Sequence, residues 1–344
     1  MRTAADAALR GMGVQGIAGL GRRCAGGSTI RAAGCHAGGR ISAAGFVIAP
    51  RPRRSSRHGR RGAAVASAPD GGEGVRAVLL LDFDGVICDS SGESSVSAWN
   101  ASARFWPEAY RNRDAQRDAV VASTSAVRPV VETGYENMLQ SRALLEGRAS
   151  EADILGGWDA LRPALLAEWD VTRDALVSAF ADERDAWIAR DEASWIGHNR
   201  IYPGVGEALA SALARPELRV LIVTTKQTRY VVRILAQMAN IAFPEDRVFS
   251  STVSGKPKAE TIADLMASEA LAGVDTWHFV EDRYPTLAGI VARDPGFFPK
   301  ELGMSLVDWG FNVEAEREEA RGCDRIQVIA LDAFHAMLKD GLAQ

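Results

Sequence analysis

Two regimes of apolar spacing divide this chain. At 78–81 four apolar residues, Val78-Leu79-Leu80-Leu81, run straight into Asp82. A short, wholly apolar run closed by a turn residue predicts a buried strand. A second such run spans 219–226 and ends in Thr224-Thr225-Lys226, and a third spans 276–280 before Glu281-Asp282. Weaker strand patterns fall at 304–310 and 325–331. Between them, 229–238, 259–271 and 331–342 carry apolar residues at helical spacing, whereas 249–258 has the composition of a loop. Strands alternating with helices predict an α/β fold: a parallel sheet covered by helices on both faces. Asp82 then sits at the carboxyl end of the first strand, where such sheets place their chemistry.

The pattern changes at about Ser91. From 92 to 199 apolar pairs such as Val120-Val121, Leu144-Leu145 and Trp187-Ile188 recur at roughly helical spacing, punctuated by Gly134, Gly147, Gly156-Gly157 and Pro163. Six of the eight tryptophans lie here, and packing between helices is their expected role. Tyr202-Pro203-Gly204-Val205 returns the chain to the strand–helix alternation. The expected division is therefore a leader over 1–74, a core built from 75–91 and 200–344, and a helical domain over 92–199 inserted after the first strand.

Composition adds a leader to this picture. Residues 1–68 hold 12 Arg, no Lys and a single acid, Asp6. The rest of the chain holds 28 basic and 43 acidic residues. An acidic body argues against nucleic acid or an anionic membrane as partner, and no apolar run is long enough to span a bilayer. The leader has the composition of an organelle transit peptide, with a cleavage expected near 64–68. Its abundant Ser and Ala favour a chloroplast over a mitochondrion. The basic stretch 51–61 also admits a disordered tail or a nucleic-acid patch. Four cysteines without metal spacing point to neither a disulfide scaffold nor a zinc site.

Candidate chemistry gathers at strand ends. Asp82 and Asp84 stand two residues apart, with Gly85 allowing a sharp turn, and two carboxylates so close call for a cation. Asp82-Phe83-Asp84-Gly85-Val86 resembles the DxDG[TV] signature of the haloacid dehalogenase-like superfamily. Three further matches follow in the family's order: Thr224 after an apolar strand, Lys256-Pro257, and the acidic pair Glu281-Asp282. The Pro-Gly-Val lead-in at 203–205 and the helical insert resemble a member with a C1-type cap on a Rossmann-like core.

This resemblance implies a division of labour that phosphoryl transfer needs. Asp82 is the expected nucleophile and Asp84 the acid/base. Thr224 would donate to phosphoryl oxygens, and Lys256 would hold nucleophile and phosphate together. Mg²⁺ would be held by Asp82, Asp282 and the Asp84 carbonyl, with Glu281 a further candidate ligand. Thr225, Lys226 and Arg128 are candidate substrate contacts. Arg128, Glu132 and Tyr135 fall at i, i+4, i+7 and would share a helical face, so an intrahelical Arg128–Glu132 pair is the plainer expectation. The stretch around Arg128, with 223–227, also resembles plant and algal plastid members of the superfamily.

Two departures from the family pattern stand out: Lys256-Pro257-Lys258, where an apolar residue often follows the proline, and bulky Arg283-Tyr284 after Asp282. The expected activity is Mg²⁺-dependent hydrolysis of a small phosphorylated metabolite through a phosphoaspartate on Asp82. A phosphomutase on the same core and a non-catalytic plastid binding protein are the alternatives. Family dehalogenases lack the second Asp and need no metal, so Asp84 counts against that chemistry.

Overall fold

The computed structural model describes residues 74–293 and 296–342. The expected leader and the transit-peptide reading of it fall on residues 1–73, outside the described residues. Strands β1 (Ala77–Leu81), β2 (Cys88–Asp89), β3 (Arg200–Ile201), β4 (Leu218–Thr224), β5 (Val248–Ser250), β6 (Thr276–Glu281), β7 (Gly303–Val307) and β8 (Gln327–Ile329) form two sheets. The main sheet runs in the order β5-β4-β1-β6-β7-β8, and every pair in it is parallel. Leu81 lies opposite Ile222 on one side and Val280 on the other. The chain leaves β1 for β4 and β5 on one flank, then returns to β6 on the other. The order reverses at β1, and the crevice beyond its carboxyl end is where such sheets bind ligands.

Side-chain alternation along the central strands explains the two covered faces. Leu79, Leu81, Val220, Ile222 and Val280 point into one apolar core, whereas Val78, Leu80, Leu221, Val223 and Phe279 point into the other. Helices α7 (Val205–Leu213) and α8 (Thr228–Ala239) and the closing helix (Leu331–Asp340) cover the first face. The second is covered by the helices at Lys258–Met266, Tyr284–Val291 and Glu314–Arg321. The closing-helix and strand expectations hold to within a few residues. The stretch read as a loop at 249–258 instead contains edge strand β5 and a short helix, Ser251–Ser254. Three residues are too few to show a period.

Helices α1 (Ser91–Phe105), α2 (Pro107–Tyr110), α3 (Arg117–Ala126), α4 (Glu136–Leu145), α5 (Glu151–Glu168) and α6 (Arg173–Gly197) form the helical insert. The antiparallel pair β2/β3 joins its two ends. Its own core includes Met138, Leu139, Trp158, Leu176 and Phe180. Arg142 is held between the rings of Trp106 and Trp169, at 4.8 and 4.2 Å, so these tryptophans pack helices together. Ser150 caps α5 and exchanges hydrogen bonds with Asp153. Gly157 kinks that helix rather than ending it.

One expectation within the insert is corrected. Residues 128–135 do not share a helical face. Arg128–Val130 form a single 3₁₀ turn, Val131 is extended, and α4 begins only at Glu136. The break falls at Val131, whose extended backbone (φ −88°, ψ 125°) ends the turn that Pro129 sits in. Arg128 and Glu132 therefore do not pair. Glu132 faces Arg283 of the core at 3.8 Å, while Tyr135 is buried in the insert.

Candidate active site

Asp82 is fixed by the strand it terminates. Its amide donates to Val280 O (2.9 Å), and Oδ1 accepts the Phe83 amide (2.7 Å). The chain then folds back sharply: the Ile87 and Cys88 amides both donate to Phe83 O, and the Gly85 amide donates to Cys88 O. Gly85 takes φ +84°, a conformation that costs glycine little. This turn carries Asp84 to the same crevice.

Asp84 accepts hydrogen bonds from Ser90 Oγ (2.6 Å) and Lys226 Nζ (3.0 Å to Oδ1). Burial alone would raise its pKa, but Lys226, Arg128 and the Ser90 bond together hold it below the usual carboxylate value. Lys226 also lies 3.7 Å from Glu93 of α1. Glu93 in turn receives two hydrogen bonds from Arg184 of α6, at 2.7 and 2.6 Å, and one from Ser97. Glu93 and Arg184 are both buried. A charged network thus runs from the second aspartate into the insert.

Thr224 closes β4, fully buried, and its Oγ1 accepts the Lys226 amide (3.1 Å). Thr225, one residue further, lines the crevice, and its hydroxyl donates to Glu132 O in the insert (3.1 Å). Of the two threonines, it is Thr225 whose side chain borders the open space.

The lysine expected beside the nucleophile is replaced by its neighbour. Lys256 is exposed and pairs with Asp264. Lys258, 9% exposed, places Nζ 2.9 Å from Asp82 Oδ2 and 2.7 Å from Glu281 Oε2. Pro257 is extended, and Lys258 is the first residue of the following helix, which packs against the sheet. That placement turns Lys258 inward and leaves Lys256 in solvent. The sequence signal was present in Lys256-Pro257-Lys258, where a second lysine stands in a place often apolar in the family.

Glu281 ends β6 wholly buried. Its Oε1 accepts the Asp282 and Arg283 amides, while Oε2 accepts Lys258. It therefore steadies the turn and the lysine. Asp282 Oδ2 accepts the Phe311 amide (2.8 Å), and its carbonyl accepts Asn312 Nδ2 (2.8 Å). Sequence reasoning did not single out Ser90, Glu93, Arg184 or Asn312. Each acts through a contact distant in sequence or through a residue type common at turns.

Asp82, Glu281 and Asp282 each bring an oxygen within 4.8 Å of the others. Lys258 is the ammonium that faces them. Burial raises Asp82 to about 6, with Lys258 pulling it down and Glu281 pushing it up. Burial, then Glu281 and Asp82, drive Asp282 well above the carboxylate range. Three buried carboxylates with one ammonium lack a positive charge, and oxygen donors suit a hard divalent cation. The donor set fits Mg²⁺.

These groups open onto a cavity of about 220 Å³, walled by Asp82, Asp84, Arg128, Thr225, Lys258 and Asp282. A smaller recess of about 40 Å³ lies against the insert, walled by Asp84, Ser90, Arg128, Arg184, Thr225 and Lys226. Among the described residues, no helix is long and apolar enough to cross a membrane.

No curated protein matches the chain. Among solved structures, it is similar to a predicted phosphatase from Clostridium acetobutylicum, with 18% identity, TM-score 0.48, and coverage of 77% of this chain and 99% of that one. It is also similar to a haloacid dehalogenase-like family hydrolase from Streptococcus pneumoniae (15% identity, TM-score 0.43, coverage 77% and 98%). A predicted phosphoglycolate phosphatase from Haemophilus somnus gives 15% identity, TM-score 0.44 and coverage of 77% and 97%. The family model for haloacid dehalogenase-like hydrolases matches residues 77–281, from the first residue of β1 to Glu281, and so takes in both aspartates, the insert and Lys258. A match over more than half of the sequence, centred on the crevice just described, shows that this chain belongs to the haloacid dehalogenase-like hydrolase family.

Proposed function

We propose that the chain is a phosphomonoester phosphatase that works through a phosphoaspartate on Asp82. The observation that carries this reading is the pairing of two differently tuned carboxylates at one strand end. Asp82 is bound to Lys258, and Asp84 to Lys226 and Ser90. In the first step an Asp82 carboxylate oxygen attacks phosphorus and the bond to the ester oxygen breaks. Asp84 gives its proton to the departing oxygen. In the second step Asp84 takes a proton from water, whose oxygen attacks phosphorus, and the bond to Asp82 breaks to release phosphate.

Asp84 starts below the usual carboxylate value. A dianionic phosphoryl group beside it raises its proton affinity, so it holds a proton when the leaving oxygen needs one. Lys258 holds Asp82 in place and offsets the charge of the phosphoryl group. Asp82 and Asp282, with the carbonyl of Asp84, would hold Mg²⁺, which when bound neutralises nucleophile and phosphate together. The insert roofs the crevice through Thr225–Glu132 and Lys226–Glu93 and limits the entry of bulk water.

The test is phosphate release by the full chain from a panel of small phosphomonoesters, with Mg²⁺ and with EDTA. Metal-dependent release that falls at least about 1,000-fold in Asp82→Asn is expected. A folded protein that releases no phosphate from any ester, or an Asp82→Asn variant as active as the parent, would overturn the reading. Conversion of a sugar phosphate to its isomer without release would assign a mutase.

A further inference from the structure

The cations around the two cavities are matched to carboxylates with one exception. Lys258 pairs with Asp82 and Glu281, Lys226 with Asp84 and Glu93, and Arg184 with Glu93. Arg283 faces Glu132 at 3.8 Å, although its Nε and Nη1 make no hydrogen bond, and Arg293 faces Glu260 at 3.6 Å. Arg128 lines both cavities, is only 8% exposed, and has no carboxylate within 4 Å among the described residues. One of its terminal nitrogens donates to Val131 O (2.9 Å), and its Nε is buried without any partner. The guanidinium is held 4.3 Å from the centre of the Phe311 ring. A buried guanidinium with an unused donor is costly unless an anion completes it.

Position says which anion. Asp84, which must stay beside the ester oxygen that leaves, shares both cavity walls with Arg128. The transferred phosphoryl group sits at Asp82, whose cation is Lys258. The guanidinium fork is pre-set by the ring and the Val131 carbonyl, and its geometry suits a carboxylate or phosphate. A cavity of about 220 Å³ is smaller than the pockets that take drug-sized ligands, so the rest of the molecule is short.

We propose that the substrate carries a second anionic group on its leaving-group side, received by Arg128. The substrate class is a compact phosphomonoester with a carboxylate or a second phosphate a few carbons from the transferred phosphoryl. This inference rests on the phosphatase reading and narrows it.

A matched series tests it: propyl phosphate, 3-phosphooxypropanoate and 1,3-propanediol bisphosphate, which differ only in the far terminus. The wild-type chain should favour one or both anionic esters over propyl phosphate by roughly 10- to 100-fold in kcat/KM. Which of the two is preferred separates carboxylate from phosphate. Arg128→Gln should bring the ratio close to one, chiefly through KM, and Arg128→Lys should keep part of it. Equal wild-type rates on all three esters would overturn the inference and leave the phosphatase reading standing. So would an Arg128→Gln variant that lowers all three by the same factor, since Arg128 would then serve the transferred phosphoryl group. The wild-type comparison decides the matter even where a variant does not fold. Release from none of the three and from no other ester would overturn the phosphatase reading, and this inference with it.

Discussion

Lys258 Nζ lies 2.9 Å from Asp82 Oδ2, the closest cation to the carboxylate that ends β1. The same ammonium holds Glu281 at 2.7 Å, so one lysine ties the ends of β1 and β6 together. Lys258→Ala should lower kcat by about 100- to 1,000-fold and cost about 3–5 kcal/mol of stability, because two buried carboxylates lose their cation. Lys256 pairs with Asp264 in solvent, and Lys256→Ala should leave both within experimental scatter. Kinetics and urea unfolding on the two variants check this, and the opposite ranking would return the role to Lys256.

That contrast shows what could be read from the chain and what could not. Apolar runs placed β1, β4 and β6, and the residues just after them placed Asp82, Asp84, Glu281 and Asp282 at one crevice. Strand patterning works there because both faces are buried. The choice between Lys256 and Lys258 depends on where a helix begins relative to Pro257, a matter of one or two residues that periodicity does not resolve. Arg128 was singled out on an assumed helix that breaks at the extended Val131, yet tertiary packing still brings it to the cavity wall. The Glu93–Arg184 pair spans 91 residues of sequence and leaves no local signal.

Gly85 and Asp282 are in closer contact than any side chain permits. A Cβ on Gly85 would stand 1.8 Å from Asp282 Oδ2, and the backbone there has φ +84°. Gly310 closes the other side, where a Cβ would meet Asp282 Cβ at 2.4 Å. Gly85→Ala should therefore displace Asp282 and abolish turnover. Gly255→Ala, also at positive φ but with nothing within 4 Å, isolates the backbone term at about 1–2 kcal/mol. Comparable stability losses in the two variants would show that crowding at Asp282 is not the decisive factor.

Glu93 and Arg184 form a buried bidentate pair between α1 and α6 of the insert. Glu93→Gln leaves the guanidinium uncompensated and should cost about 3–5 kcal/mol. The double variant Glu93→Leu/Arg184→Met removes both charges and should recover much of that loss. A double-mutant cycle by urea unfolding reads the coupling, and additive losses would deny that the pair acts as a unit. Because Glu93 also faces Lys226, turnover should fall in the single variant beyond what instability explains.

His278 gives the stability curve an acid limb. Burial depresses its pKa from 6.5 to about 4, and its Nε2 is engaged with Ser305 Oγ at 2.8 Å. Its other ring nitrogen, Nδ1, abuts Gly303, where a Cβ would come within 2.4 Å. The folded state keeps this imidazole neutral through a range in which the unfolded chain takes up a proton. Unfolding therefore binds protons between pH 6.5 and about 4, and stability falls as pH falls across that window. Below it both states are protonated and this contribution is flat. The full drop is on the order of 3 kcal/mol from the linkage of one group. Carboxylates titrate in the same range, so the quantity to measure is the difference between wild type and His278→Gln in urea unfolding at pH 7, 6, 5 and 4. The wild type should lose its advantage progressively over that series. A difference that stays constant with pH would mean that His278 is as easily protonated in the folded chain as in the unfolded one.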